Sequence, residues 1–343
     1  MLGKRFVSLS ISEYINDTVP LLSSAFLPTT PTMSKILAIF GATGQQGGSI
    51  ISFVLNDPVL SQQYKIRAVT RDLTSVKAKD LPSEVEVVHG DIQNRQSLEV
   101  ALTGVHTVFI MTAPFLSPEA EYTTVKTIAD ITVDKGGKYI IFSTLPSIHD
   151  LSGGKYTKVT VFDIKAKAEQ YIRSLPIHNA FCSLGSFMQN FESASSFLTP
   201  RKEDGGTWTV CLNASPDMQW PLVNAAQDTG KFVGAILAEP HKFEGRTLCC
   251  ATKMYSLAEM LDIMSRATGK EIVYRRVATE ELRGRMDVPD GLVDMFVEMI
   301  AFMDEVGYYG KGGGDMVAWA AGEARGELCT FEEYLVACPL RLG

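Results

Sequence analysis

The chain has 343 residues, which suggests about two domains, or one large α/β body with an added lobe. Hydrophobic residues make up 45% and charged residues 21%, a balance typical of a globular protein and not of a disordered chain or a fibre. The formal net charge of -7 argues against direct nucleic-acid binding, which needs a basic surface. A role in transcription would therefore act through a protein partner.

The sequence also argues against a membrane-spanning protein, a disulfide-linked protein and a metal-binding protein. No run approaches the ~18 apolar residues of a membrane-spanning helix. The cysteines form no C-x-x-C pair and the histidines show no H-x-x-x-H spacing, so we expect free thiols and no protein-held metal. We predict a cytoplasmic protein, and the nucleus is left open. The cysteines are Cys182, Cys211, Cys249, Cys250, Cys329 and Cys338.

Residues 1–33 differ in character from the rest of the chain. They are rich in Ser and Thr, end in a Pro-Thr-Thr-Pro-Thr run, and contain acids that break the apolar stretches. The pattern favours a disordered tail over a mitochondrial presequence. Met33 stands directly before the first predicted strand and is an alternative start.

From Lys35 onward, strands and helices alternate. Repeated β-α-β alternation predicts a Rossmann-type, doubly wound parallel sheet with right-handed crossovers. Strands are predicted at residues 35–40, 65–70, 85–89, 107–111, 139–143 and 179–184. Helices are predicted at residues 49–55, 73–80, 95–102, 122–135 and 162–174.

After about residue 190 the alternation loosens, and we predict a smaller, partly helical C-terminal lobe. Strands are expected at 208–212 and 247–250, a helix at 289–303, and a flexible connector at 311–314. Ser256 and Thr330 each precede a Glu by three residues, which is the capping-box pattern of a helix start. The predicted division is thus 34–190 for the Rossmann domain and 191–343 for the lobe, with some lobe segments returning to the sheet.

The strongest motif is the loop Gly41-Ala-Thr-Gly44-Gln-Gln-Gly47, which lies between a strand and a helix. Glycines at these positions allow a tight turn, close approach of the backbone to a pyrophosphate, and close packing of helix on strand. The helix N-terminus adds free N–H groups and the positive end of its dipole. A simple tight turn is the alternative, but strand, loop, helix and second strand all occur in order, which favours dinucleotide binding.

The end of the second strand indicates which dinucleotide is preferred. NAD-binding folds usually carry an acid there, whereas an arginine suits the 2′-phosphate of NADP. Arg71 occupies this position and Asp72 follows it, so NADP(H) is favoured and NAD(H) is not excluded.

The segments GATGQQGGSI, RAVTRD, VVHGDI, GVHTVFIMTAP and SLGSFMQNF, with the helix near residue 165, resemble the NmrA-like family. These proteins are atypical relatives of the short-chain dehydrogenases and include fungal nitrogen-metabolite regulators and a human NADPH sensor. The resemblance runs from about residue 35 to 336. It implies an NADP(H)-binding Rossmann domain with a small C-terminal lobe.

The resemblance also implies roles for individual residues. The phosphates would lie against Gly41, Ala42, Thr43, Gly44, Gln45 and Gln46. The 2′-phosphate would meet Arg71 and the following turn with Ser75. The adenine would lie by Asp91 and Ile92, and the ribose by Thr112, Ala113 and Pro114. Lys165 would reach the nicotinamide ribose, and the nicotinamide end would be closed by Phe187, Met188, Gln189 and Asn190.

The sequence lacks the usual catalytic pair of the short-chain dehydrogenases, whose mechanism needs Y-x-x-x-K on one helix face. Val161 stands four residues before Lys165, and the nearest upstream tyrosine is Tyr156, off that face. Ser143 and Thr144 lie where the family's catalytic serine region would be.

Two functions therefore remain open. In one, Lys165 is the catalytic residue of an NADPH-dependent oxidoreductase that acts on a small apolar or aromatic metabolite. In the other, NADP(H) binding without turnover regulates a protein partner such as a transcription factor. A structural module without cofactor is a third, weaker alternative, and a homodimer is left open.

Overall fold

The computed structural model describes residues 34–112, 117–193, 197–203 and 205–342. Residues 34–343 form one compact unit. The predicted tail at 1–33 lies outside the described residues.

Within the described residues the strands follow the predicted alternation closely in the first half of the chain. In chain order they are β1 (Lys35–Phe40), β2 (Tyr64–Thr70), β3 (Glu86–His89), β4 (Thr107–Ile110), β5 (Tyr139–Thr144), β6 (His178–Leu184), β7 (Ser186–Phe187), β8 (Arg201–Lys202), β9 (Trp208–Leu212), β10 (Gln219–Val223), β11 (Thr247–Cys250), β12 (Lys253–Ser256) and β13 (Ile272–Arg276).

The helices complete the alternation and then dominate the second half. They are α1 (Gln45–Asn56), α2 (Leu60–Gln63), α3 (Val76–Lys79), α4 (Arg95–Ala101), α5 (Pro118–Asp134), α6 (Ile148–Leu151), α7 (Thr160–Ser174), α8 (Ala225–Ala238), α9 (Leu257–Thr268), α10 (Thr279–Arg285), α11 (Asp290–Glu305), α12 (Gly313–Glu323) and α13 (Phe331–Ala337). A 3₁₀ helix covers Met188–Glu192.

The main sheet has seven parallel strands in the order β11-β6-β5-β4-β1-β2-β3. Its strands are short, largely buried runs rich in Val, Ile, Phe and Ala, as expected for a sheet covered on both faces. One face packs on α1 and α8, and the other on α4, α5 and α7. The doubly wound Rossmann-type sheet predicted from the sequence is therefore confirmed.

The second half of the chain contributes to this sheet as well as to the lobe. The edge strand β11 pairs in parallel with β6, and α8 packs directly on α1. A side chain at Gly230 or Gly234 would collide with Ser49 or Phe53 of α1, so these glycines allow the two helices to approach closely. The Gly230 N–H also donates to the Ser49 hydroxyl at 2.9 Å.

The lobe consists of two small sheets and the helices α9 to α13 around a core of its own. The sheets have the orders β12-β10-β7 and β13-β9-β8. Their core includes the fully buried Trp220, Tyr255, Phe302 and Phe331. Phe302 and Met303 of α11 belong to this core, and Met295 and Met299 pack against it.

Two local predictions are corrected and a third is confirmed. The helix predicted at 73–80 is reduced to α3, because Asp72 accepts from Thr74 in a turn and Ser75 caps the helix start. The connector predicted at 311–314 ends early, since Gly313 already begins α12. Thr330 forms a complete capping box.

The other capping box is only half formed. Ser256 caps α9 by accepting the backbone N–H of Glu259. The Glu259 carboxylate instead pairs with Lys253 at 2.5 Å. Cys249 and Cys250 face opposite sides of β11, and all six cysteines are free, as expected.

Candidate functional site

The predicted cofactor residues follow the carboxyl ends of the parallel strands, which all lie at one edge of the sheet. The strand order reverses between β1 and β4, because β2 lies on one side of β1 and β4 on the other. In open α/β sheets ligands bind in the crevice at this switch point. The topology therefore brings the ends of β1, β2, β3 and β4 to one cleft.

The glycine loop after β1 is held in a shape that side chains would disturb. Gly41 has φ of +73°, and a Cβ there would lie 2.4 Å from the Met111 sulfur. A Cβ at Gly47 would lie 2.3 Å from the carbonyl oxygen of Gly41. The Gly44 N–H donates to the same carbonyl at 2.9 Å, which closes the turn. Gly41 and Gly47 therefore have separate steric reasons to lack a side chain.

The N-terminus of α1 is open toward the cleft. Gly44 is the N-cap and supplies no side-chain cap, and no acidic residue stands in the first turn. Gln46 is buried, and its Oε1 has no hydrogen-bond partner among the described residues. Free N–H groups at a helix start attract an anion, so loop and helix fit a dinucleotide pyrophosphate.

The turn after β2 presents positive charge. Arg71 is exposed and forms no ion pair in the described part of the chain. The pKa of Asp72 lies below its ordinary value, mainly because Thr74 donates to the carboxylate and, to a smaller extent, because Lys79 is close. The Ser75 hydroxyl accepts from Ala78 N and so caps α3. One oxygen of Asp72 is thus already bound within the turn.

The segment after β3 offers an acid and an apolar surface. Asp91 is partly buried, and its carboxylate accepts the backbone N–H of Gln93 at 2.9 Å. Ile92 is exposed beside it. Contact of these two residues with an adenine stays a prediction.

The most distinctive cluster joins Lys165 on α7 to the end of β4 and the first turn of α5. Lys165 Nζ donates to Thr112 Oγ1 at 2.6 Å and to Glu121 Oε1 at 2.5 Å. The Thr112 hydroxyl donates to the same carboxylate. The Lys165 side chain is 18% exposed and that of Glu121 6%. The ammonium is therefore fixed at the cleft, and a third N–H is left after these two bonds.

Glu121 could not be selected from the sequence. An acid in the first turn of a helix ordinarily interacts with the dipole and remains in water. Its burial depends on Lys165 and Thr112, which approach only in the folded chain.

Other polar groups near α7 have different roles. The Tyr156 hydroxyl donates to Glu305 of α11 at 2.7 Å and so faces the lobe. Ser143 and Thr144 are buried, and the Thr144 hydroxyl donates to the backbone oxygen of Lys165 at 3.4 Å. His149 is exposed and pairs with Asp150.

The segment after β6 is partly committed to packing. Met188 is fully buried in the lobe core. Gln189 donates to Asn224 at 2.7 Å and accepts from the Ala225 N–H, which supports the start of α8. Phe187 is half-buried and Asn190 exposed, so these two side chains remain for contact with a cofactor. The predicted ribose residues Ala113 and Pro114 lie outside the described residues.

Neither a metal centre nor a membrane-spanning helix is found in the described ranges. Between residues 34 and 342, outside the three undescribed gaps, no group of three or more His, Cys, Asp or Glu side chains could hold a metal ion. In the same ranges no helix has the length and apolar character to cross a lipid bilayer.

The seven-stranded parallel sheet and the cleft at its switch point define a Rossmann-type α/β protein. The chain belongs to the NmrA-like family, whose model matches residues 33–335. An NmrA-like family domain-containing protein of Dictyostelium discoideum is 29% identical over 313 residues, which cover 88% of this chain and 97% of that protein. The NmrA-like oxidoreductase cpsB of Aspergillus campestris is 26% identical over 275 residues, covering 75% of this chain and 80% of the relative.

Solved structures show the same fold at lower identity. NmrA, a negative transcriptional regulator, in complex with NAD has a TM-score of 0.72 and 22% identity, with 88% of this chain and 94% of that chain covered. Its complex with NADP has a TM-score of 0.69, 21% identity and the same coverage. Triphenylmethane reductase of Citrobacter sp. complexed with NADP(H) has a TM-score of 0.71 and 20% identity, with 88% and 99% covered.

Proposed function

We propose that this protein is an NADP(H)-dependent oxidoreductase that reduces a small apolar or aromatic metabolite. The observation that carries the proposal is the Lys165 ammonium, held at the end of β4 by Thr112 and Glu121. Several curated relatives are named as oxidoreductases, which supports the reaction class. The cofactor, when bound, supplies a hydride.

The chain's own residues would hold the cofactor and place positive charge at the reacting end. The open start of α1 and the glycine loop would bind the pyrophosphate. Arg71 would bind the 2′-phosphate, because a guanidinium matches phosphate oxygens in a two-pronged contact. The remaining N–H of Lys165 would donate to a nicotinamide-ribose hydroxyl or to the substrate oxygen.

The proton-transfer part of the mechanism rests on Lys165 alone. Val161 stands where the usual tyrosine would be, and the Tyr156 hydroxyl is bound to Glu305. Reduction of a carbonyl leaves an alkoxide that needs a proton, and general acid help is worth roughly 10² to 10⁴ in rate. We therefore expect slow carbonyl reduction. A conjugated double bond is a better substrate, because an enolate is the less basic product.

A regulator that binds NADP(H) without turnover is the second candidate. The displaced Tyr156 favours it, since no tyrosine proton donor shares the face of Lys165 on α7. NmrA itself is described as a negative transcriptional regulator, which supports this alternative. The acidic net charge of -7 would direct such regulation through a protein partner.

The deciding experiment begins with calorimetric titration of the full chain with NADPH, NADP, NADH and NAD. The tightest cofactor is then assayed for turnover with quinones, conjugated ketones and aromatic aldehydes. For an oxidoreductase, Lys165→Ala abolishes turnover and Tyr156→Phe changes it little. If Tyr156→Phe abolished turnover and Lys165→Ala left it unchanged, the mechanism would be contradicted.

Tight NADPH binding without turnover would favour the regulator. In that case the positive test is a partner pull-down that differs between NADPH and NADP. Lys165→Ala should weaken this difference as well, because both functions use Lys165 at the nicotinamide ribose.

A further inference from the structure

A cavity, here called the amino-edge cavity, lies where the strands of the main sheet begin. Its volume is about 140 Å³. Five of the residues that line it are each the first residue of a parallel strand, namely Lys35 of β1, Tyr64 of β2, Thr107 of β4, Tyr139 of β5 and His178 of β6. The cavity therefore lies at the edge of the sheet opposite to the candidate cofactor cleft.

The amino-edge cavity is far from that cleft. Lys35 begins β1, and Gly41 of the glycine loop directly follows the six residues of this strand. Because an extended strand rises about 3.3 Å per residue, the two sites are roughly 20 Å apart. None of the predicted cofactor residues that the structure describes lines the cavity. A ligand in one site therefore does not exclude a ligand from the other.

The floor of the cavity is apolar. Tyr64, Tyr139 and Leu237 line it and are 4%, 6% and 3% exposed, so part of each residue remains accessible. The Tyr64 hydroxyl donates to the Leu237 carbonyl at 3.3 Å, and the Tyr139 hydroxyl donates to the Pro240 carbonyl at 2.9 Å. These polar groups are thus paired with each other. A cavity of about 150 Å³ can hold benzene, so the space suits one ring.

Positive charge surrounds this floor, although the whole chain has a net charge of -7. The basic residues that line the cavity are Lys35, His106, Lys138, His178 and His241. No acidic residue in the described ranges lines it. His178 is paired with Glu244, but Lys35 and Lys138 form no ion pair within the part of the chain that the structure describes. Two ammonium groups are therefore left without a counter-charge.

The uncompensated charges lie close together. The His106 N–H donates to the Ile36 carbonyl at 3.0 Å, and the Lys138 N–H donates to the His106 carbonyl at 2.8 Å, which holds the three segments side by side. The pKa of His106 lies below its ordinary value of 6.5, first because of burial and then because the Lys35 and Lys138 ammonium groups are near. A concavity lined by charges of one sign attracts a counter-ion.

The charge also adjoins the apolar floor. The Lys35 ammonium lies 5.6 Å from the centre of the Tyr64 ring. A ligand that carries a negative charge beside an apolar ring would match both features at once. An inorganic anion would leave the floor uncovered, and a neutral ring would leave the ammonium groups unpaired.

We propose that the amino-edge cavity binds a small carboxylate that carries one apolar ring, the chemistry of a benzoate. The ring packs against Tyr64, Tyr139 and Leu237. The carboxylate pairs with the ammonium groups of Lys35 and Lys138. This site is additional to the proposed function and independent of it.

Fluorine NMR on the full chain tests the chemistry of the ligand. The probes are 4-fluorobenzoate, its uncharged amide 4-fluorobenzamide, and fluoroacetate, which is a carboxylate without the ring. 4-Fluorobenzoate should bind about tenfold more tightly than either, because the amide lacks the charge and fluoroacetate lacks the ring contact. Binding of the amide with equal affinity would overturn the role of the lysines. Binding of fluoroacetate with equal affinity would overturn the role of the apolar floor.

Variants that remove charge locate the carboxylate. Lys35→Met and Lys138→Met should each weaken 4-fluorobenzoate binding about three- to tenfold and leave 4-fluorobenzamide unchanged, because each removes one charge-assisted contact. Lys311→Met is the control, at an exposed lysine outside the cavity, and should change neither affinity. Equal effects of the three variants would indicate general attraction to positive charge and would overturn the proposal.

Competition separates this site from the cofactor cleft. Saturating NADPH should leave 4-fluorobenzoate bound, because the two sites lie at opposite edges of the sheet. Displacement by NADPH would place the probe in the cofactor cleft and overturn the proposal. Absence of 4-fluorobenzoate binding at millimolar concentration would overturn it as well.

Discussion

At the scale of single residues, Glu121 is the counter-charge that permits a lysine to remain at the edge of a buried sheet. Both side chains are largely withdrawn from water, and the carboxylate accepts from the ammonium and from Thr112. Removing one member of such a pair leaves the other charge uncompensated, which costs more than the intact pair contributes. The geometry of the cleft therefore depends on a residue that need not touch the substrate.

We predict that Glu121→Gln lowers the free energy of unfolding by about 2 to 4 kcal/mol. Adding Lys165→Met should restore part of the loss, because the unpaired charge is then removed as well. Urea denaturation at pH 7 measures both. Asp130→Asn is the control, since Asp130 and its partner Lys126 are more exposed and Asp130 also accepts from the Tyr171 hydroxyl, and it should cost clearly less than Glu121→Gln. A double variant less stable than Glu121→Gln would contradict the interpretation.

We expect Arg71 to determine the proposed preference for NADP(H). Arg71→Ala should weaken NADPH binding about ten- to a hundredfold, because a charge-assisted phosphate contact is lost. NADH binding should change little. Calorimetry with both cofactors measures the difference, and Arg266→Ala on α9 is the control. Unchanged affinity for both cofactors would remove Arg71 from the site.

At the scale of elements, the strands of the main sheet were predictable because short apolar runs alternate with amphipathic helices. Helix α8 was missed, because Gly230 and Gly234 weaken the local helix signal. The same glycines are required where α8 packs on Ser49 and Phe53, so tertiary packing overrides propensity. The cleft was predictable where the backbone determines it, at Gly41 to Gln46, but not where distant side chains meet, as at Glu121.

Two neighbouring glycines of α1 test whether the close contact between β1 and α1 requires the absence of a side chain. Gly47→Ala should destabilise the protein by about 1 to 3 kcal/mol or more, because its Cβ would lie 2.3 Å from the Gly41 oxygen. Gly48→Ala should be neutral or stabilising by about 0.5 to 1 kcal/mol, since its Cβ would lie 4.0 Å from the carbonyl oxygen of Ala42. Thermal unfolding of both variants measures the contrast. Equal melting temperatures would show that the loop relaxes.

The end of α1 is tied to the chain after α12 by an ion pair, and this contact is pH-dependent. Arg325 donates to Asp57 at 2.6 Å and is the main reason why the pKa of Asp57 lies below its ordinary 3.8. A carboxyl group whose pKa is lower in the folded than in the unfolded protein stabilises the fold at pH values above the unfolded-state pKa. This stabilisation is lost as the pH falls through the folded-state pKa. The contact therefore contributes at neutral pH and fades in acid.

We predict that Arg325→Met lowers stability at pH 7 by about 1 kcal/mol. The difference from wild type should shrink as the pH falls below about 3.8, the ordinary pKa of the group. Urea denaturation over a pH series measures it. Arg266→Met, in an exposed pair with Asp262, should show a smaller difference. If the difference in the free energy of unfolding between wild type and Arg325→Met instead grew as the pH fell, the predicted direction of the pH dependence would be wrong.

At the scale of the whole molecule, residues 34–343 form one compact unit, and the second half of the chain supplies both the lobe and the edge strand β11 of the main sheet. We predict that a chain beginning at Met33 melts within a few degrees of the full chain, because this unit has its own cores. Differential scanning calorimetry measures both. A large drop in melting temperature would show that residues 1–32 stabilise the fold.

The late position of β11 has a consequence for biosynthesis. During translation β6 leaves the ribosome well before its partner strand, Thr247–Cys250, so its hydrogen-bonding edge is unpaired for a time. The apolar face of α1 is likewise uncovered until α8 has been made. Unpaired strand edges favour association between chains. The nascent protein therefore passes through an interval in which chaperone protection matters most, and that interval closes only when the edge strand has emerged.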